Sequence, residues 1–121
     1  MYKKILILDD DINLLETLSI LLADNGYEVK ALSGGEKVME TIHEFDPDLV
    51  LMDVMLGGMD GLVICRHIKQ QPGMLNLPVI LISGLFDLEK SKYHPGAPND
   101  FLAKPFDLDI LLGKIEKQLA A

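Results

Sequence analysis

The sequence predicts an α/β fold, a doubly wound five-stranded parallel sheet with helices on both faces. Two observations predict it. Short apolar runs alternate with helix-period segments along the chain. Several of those runs also stop at a polar residue. Ile5-Leu6-Ile7-Leu8 ends in Asp9-Asp10, Leu49-Val50-Leu51-Met52 in Asp53, Val79-Ile80-Leu81-Ile82 in Ser83, and Phe101-Leu102-Ala103 in Lys104-Pro105. Open α/β sheets keep their ligand crevice at the carboxyl ends of their strands. Three carboxylates, a hydroxyl and an ammonium are therefore expected to converge at one end of the sheet.

The elements follow in order. Strands are predicted near residues 4–8, 27–32, 48–53, 78–82 and 100–103, and helices near 12–25, 35–45, 61–71 and 107–119. In the first helix Leu15, Leu18 and Leu22, with Leu14 and Leu21, recur at helical spacing. Asp10 or Asp11 caps its start and Gly26 its end. The third helix carries an inner stripe of Leu62, Cys65 and Ile68. The last helix starts at the cap Asp107 and carries an apolar stripe of Leu108, Leu111, Leu112, Ile115 and Leu119. A further helix near 87–93 is short, because Pro95-Gly96 stops it early. Cys65 reads as a small core residue. His43, His67 and His94 share no spacing and read as surface or boundary residues.

The chain has 121 residues, 49% apolar and 25% charged, with a formal net charge of −8. That fits a single domain, residues 1–121, with a real core. No apolar run approaches the ~18–20 residues of a membrane span. The start is no signal peptide, and the lone Cys65 excludes an intramolecular disulfide framework. A cytoplasmic location is the expectation. Lys and Arg form no basic block, which argues against direct nucleic-acid binding.

The strand-end aspartates carry the chemistry. Two carboxylates about 5 Å apart repel by roughly 3 kcal/mol at an effective dielectric of ~20. Without compensation one of them stays protonated. An oxygen-only donor set with no Cys or His beside it suits Mg²⁺.

Asp9-Asp10, Asp53, Met59-Asp60-Gly61, Ser83-Gly84 and Lys104-Pro105-Phe106, in this order and in strand-end context, resemble the receiver domain of bacterial two-component response regulators. The resemblance runs from the first strand to the last helix. It implies a flavodoxin-like sheet of strand order 2-1-3-4-5, with the fourth helix short or irregular in this chain. It implies that Asp53 accepts a phosphoryl group from a histidine kinase or a histidine phosphotransfer protein. Asp9, Asp10, Asp53 and the backbone carbonyl of Met55 would hold Mg²⁺. Ser83 and Lys104 would contact the phosphoryl oxygens. Ser83 and Phe101 would form the switch. Phe101 lacks the hydroxyl of a tyrosine, so no outward hydrogen bond can mark the inactive state.

The resemblance also implies a Lys104-Pro105 cis peptide, and a self-association face on the fourth helix, fifth strand and last helix. On this reading the chain is a signalling module, not an enzyme. Receivers commonly have proline where Gly57 stands. Gly57-Gly58 adds conformational freedom and predicts a loop that is mobile without metal and tightens on phosphorylation. Met55 and Leu85 lie two residues after Asp53 and Ser83. Both are apolar, so neither activates a water, and the expected acyl phosphate is long-lived.

Other readings fit less well. A haloacid-dehalogenase phosphatase would need Thr or Val where Asn13 stands, and usually a cap domain. Asp9-Asp10-Asp11 would repel a flavin phosphate. The Ca²⁺-loop pattern fails at Leu14, and the P-loop pattern is absent. A degenerate receiver that is never phosphorylated and acts as a docking module remains the alternative.

Overall fold

A computed structural model describes residues 2–84 and 97–120. The predicted short helix near 87–93, Leu85 and His94 lie outside the described residues.

Strands β1 (Lys4–Leu8), β2 (Glu28–Leu32), β3 (Leu49–Asp53), β6 (Val79–Ser83) and β7 (Asp100–Ala103) form one parallel sheet, ordered β2-β1-β3-β6-β7. Counting these five alone, the order is 2-1-3-4-5, as expected. A hairpin of β4 (Met55–Leu56) and β5 (Met59–Asp60) follows β3 and was not anticipated. The helices are α1 (Ile12–Asp24), α2 (Val38–Phe45), α3 (Gly61–Gln70) and α4 (Leu108–Leu119).

Strand periodicity divides the core in two. Leu6, Leu8, Val50, Met52, Val79 and Leu81 face α2 and α3, where Val38, Ile42, Ile64, Cys65 and Ile68 meet them. Ile5, Ile7, Leu49, Leu51, Ile80 and Ile82 face α1 and α4, against Leu15, Leu18, Leu22, Leu111 and Ile115. Burying each such Leu or Ile contributes about 1.5–3 kcal/mol relative to exposure. Strands β3 and β6 are buried along their whole length, which explains their unbroken apolar runs. The edge strand β2 exposes Glu28, Lys30 and Ala31, as an edge that must not recruit another chain does.

The caps match the sequence. Asp11 caps α1 by accepting from the N–H groups of Asn13 and Leu14. Asp107 caps α4 by accepting from Asp109. Cys65 is fully buried, and burial pushes its thiol up to about 11, so it is packing and not a reactive thiol. His43 and His67 are exposed.

Lys69 was missed. It is 7% exposed and, among the described residues, finds no carboxylate as a hydrogen-bond acceptor. Its ammonium donates to Leu75 O at 3.3 Å, Leu77 O at 2.6 Å and Asn99 Oδ1 at 2.6 Å. Asn99 Oδ1 also accepts from Val79 N. Lys69 thus ties α3 to the chain entering β6 and the chain entering β7. Burial pushes its pKa below the usual 10.5.

Lys69→Met should take this donor from the Leu75 and Leu77 carbonyls and cost roughly 1–3 kcal/mol. A group whose folded pKa is depressed contributes most above its unfolded pKa and loses that contribution as pH falls through the folded value. The stability gap between wild type and Lys69→Met should therefore widen as pH rises from the depressed folded pKa towards 10.5. Urea unfolding at several alkaline pH values reads this out; a flat gap would contradict it.

Candidate functional site at the carboxyl end of the sheet

The sheet places the predicted residues together because its central strands run parallel and in register. Leu8 pairs with Met52, so Asp9 follows at the level of Asp53. Asp53 pairs with Ile82, so Ser83 lies one step beyond. Ser83 pairs with Ala103, and Lys104 N donates to Ser83 O at 2.9 Å. Asp9, Asp53 and Ser83 are 2%, 4% and 3% exposed, while Asp10 is exposed. Oxygens of Asp9, Asp10 and Asp53 lie within 4.8 Å of one another.

Each carboxylate has its own anchor. Asp9 Oδ1 accepts from Asp11 N at 2.9 Å, and Asp53 Oδ1 accepts from Met55 N at 2.8 Å. Asp10 Oδ2 accepts from Gly57 N at 3.2 Å. The Lys104-Pro105 peptide is cis, as expected. Lys104 Nζ donates to Asp53 Oδ2 and, at 3.3 Å, to Asp9 Oδ2.

The charges respond to this packing. Burial raises the Asp9 pKa above 3.8; the Asp11 N–H opposes the rise, the Asp53 charge adds to it, and Lys104 counters. Burial works to lower Lys104, but its hydrogen bond to Asp53 and the Asp9 and Asp53 charges outweigh that and raise it above 10.5. Lys104 is therefore a fixed cation at neutral pH.

Gly61 explains why α3 starts where it does. Its N–H donates to Val54 O at 2.7 Å. A Cβ on Gly61 would lie 2.5 Å from Asp53 O and 2.9 Å from Val54 Cα. Only glycine lets the helix start lie against the strand end. Gly61→Ala should shift the Asp53 backbone and cost roughly 1–3 kcal/mol by overpacking. Thermal melts check this; an unchanged melting temperature would contradict it.

The β4–β5 hairpin follows from Gly57-Gly58, whose φ angles are +53° and +96°. Two positive φ values mark a type I′ turn, which glycines adopt readily. The bond between Gly61 N and Val54 O makes residues 54 and 61 a hydrogen-bonded pair. Antiparallel pairs alternate, so Met55 and Asp60, the next pair, leave the Met55 carbonyl outside the ladder. The Met55 side chain is 52% exposed. Phe101 pairs with Leu81 and is half-buried, packed against the core on the α2–α3 face.

A model of the response regulator receiver domain matches residues 5–116. The chain belongs to this family. The DNA-binding response regulator MtrA of Mycolicibacterium paratuberculosis is 30% identical over 120 residues, covering 98% of this chain and 52% of that protein. The DNA-binding transcriptional regulator NtrC of Escherichia coli is 35% identical over 116 residues, covering 94% of this receiver and 24% of NtrC. The receiver thus spans about half the length of MtrA and a quarter of NtrC.

Among solved structures, a CheY-like response regulator receiver domain protein from Methanospirillum hungatei superposes with a TM-score of 0.89 at 26% identity, covering 99% of this receiver and 95% of that chain. The signal receiver domain of a signal transduction histidine kinase from Syntrophus aciditrophicus gives 0.87 at 30% identity, covering 98% and 90%. No helix among the described residues is long and apolar enough to cross a membrane.

Proposed function

We propose that residues 1–121 act as one receiver unit that is phosphorylated on Asp53. The observation that carries this is the pairing of a buried strand-end carboxylate, Asp53, with the Lys104 ammonium beside two further carboxylates. An Asp53 oxygen attacks the phosphorus of a phosphohistidine on a kinase or phosphotransfer protein. The new O–P bond forms as the N–P bond breaks, and the histidine leaves with the bonding pair. In-line positioning and charge neutralisation dominate such transfers. Lys104 offers its charge to one phosphoryl oxygen and the Ser83 hydroxyl donates to another.

The donor set fits Mg²⁺. Asp9, Asp10 and Asp53 supply oxygens within one ion's reach, and the hairpin leaves the Met55 carbonyl outside its ladder. These four residues would hold the ion. When bound, Mg²⁺ supplies the positive charge that offsets the equatorial oxygens during transfer. Ser83 and Phe101 form the switch, Ser83 turning towards the phosphoryl group and Phe101 filling the space behind it. That is a population shift between two packings, and it would alter the surface beside β7 and α4, where self-association is proposed. A cytoplasmic location belongs to the same reading.

Incubation with acetyl phosphate tests the proposal. A phosphoryl mass gain that needs Mg²⁺ and disappears with chelator supports it. No gain under any cation condition would favour the docking module.

A further inference from the structure

We propose that the Gly57 N–H is a positioning group for Asp10, so that the Gly57-Gly58 turn pre-assembles the cation site; this rests on the proposed function. Asp9 and Asp53 are buried and share Lys104. Asp10 differs. It is exposed, and neither Lys104 bond reaches it. Its anchor is the Gly57 N–H, 47 residues away in sequence.

The turn that presents this N–H has a φ of +53° at residue 57. Proline could supply neither the positive φ nor the N–H. The bond takes up one carboxylate oxygen, Oδ2, and each carboxylate oxygen has two acceptor sites. A cation and the Gly57 N–H therefore engage Asp10 together. Without the anchor, the exposed side chain samples other rotamers and must be ordered on binding, which lowers affinity.

Two measurements test this. In the metal-free protein, the Gly57 amide should exchange with solvent about three- to ten-fold faster in Asp10→Ala than in wild type. Asp10→Asn keeps an acceptor oxygen without the charge and should retain most of the protection. Equal acceleration in both variants, or none in either, would overturn the contact.

By calorimetry, Gly57→Pro should bind Mg²⁺ about three- to ten-fold more weakly than wild type. Gly57→Asn keeps the N–H and tolerates the positive φ, so its affinity should stay within about two-fold of wild type. Gly57→Pro binding as tightly as wild type would overturn the proposal. A wild type that takes up no Mg²⁺ would sink the phosphoacceptor reading, and with it the pre-assembly of a cation site. The exchange comparison would then still show whether Gly57 holds Asp10.

Discussion

Asp53→Asn should gain no phosphoryl group from acetyl phosphate with Mg²⁺, under conditions where the wild type does. The amide oxygen of asparagine is a far weaker nucleophile than a carboxylate, and no other described carboxylate stands in the same place against Lys104 and Ser83. The variant should remain folded, because an amide oxygen still accepts from Lys104. The Asp53 charge is one cause of the raised Asp9 pKa, so removing it should leave the metal-free melting temperature at or above that of wild type. Intact mass and a thermal melt check both halves. Full phosphorylation of Asp53→Asn would move the phosphoacceptor elsewhere.

Lys104→Met should separate stability from chemistry. Lys104 holds Asp9 and Asp53 together. Without it the two carboxylates face each other in a buried site, and the metal-free protein should lose roughly 1–3 kcal/mol at neutral pH, a range reduced for the partial exposure of the lysine. The sign of the pH dependence follows. Asp9 already has a folded pKa above 3.8, and losing Lys104 raises it further. Such a group contributes stability that is complete below the unfolded pKa and lost as pH rises through the folded value. The gap between wild type and Lys104→Met should therefore be small near pH 3.8 and grow towards neutrality. Mg²⁺ should narrow it by supplying the missing charge. On the proposed function Lys104 stabilises charge in the transfer, so phosphoryl uptake should still fall by about 10²-fold. Chemical unfolding at several pH values, with and without Mg²⁺, reads the first effect; a pH-independent gap would contradict it.

The main sheet was legible because its central strands are covered on both faces. Ile5–Leu8, Leu49–Met52 and Val79–Ile82 could be uninterrupted apolar runs only if helices cover both sides. The polar residue ending each run then marks the functional end of the sheet. Ser83 proved to be the last residue of β6, one place beyond the predicted end at residue 82. Helix α2 begins at Val38, three residues after the predicted start.

What escaped the sequence depends on contacts between distant segments. The Lys69 cluster joins residues 69, 77 and 99, and its one trace was a lysine four residues after the buried Cys65 on the inner face of α3. The hairpin had a signal in Gly57-Gly58 between Met55-Leu56 and Met59-Asp60, but two-residue strands are too short for periodicity to show. Those two glycines take the positive φ angles of a tight turn. The contact of Gly61 with the Asp53 backbone likewise depends on how closely α3 approaches β3.

The phosphoacceptor assignment is tested most directly by locating the modified residue. The protein is treated with acetyl phosphate and Mg²⁺, reduced with borohydride so that any acyl phosphate becomes an alcohol, digested, and sequenced by mass spectrometry. Homoserine at position 53, absent when Mg²⁺ is withheld, is the predicted result. Homoserine at another aspartate, or none at all in protein that has gained phosphoryl mass, would contradict it.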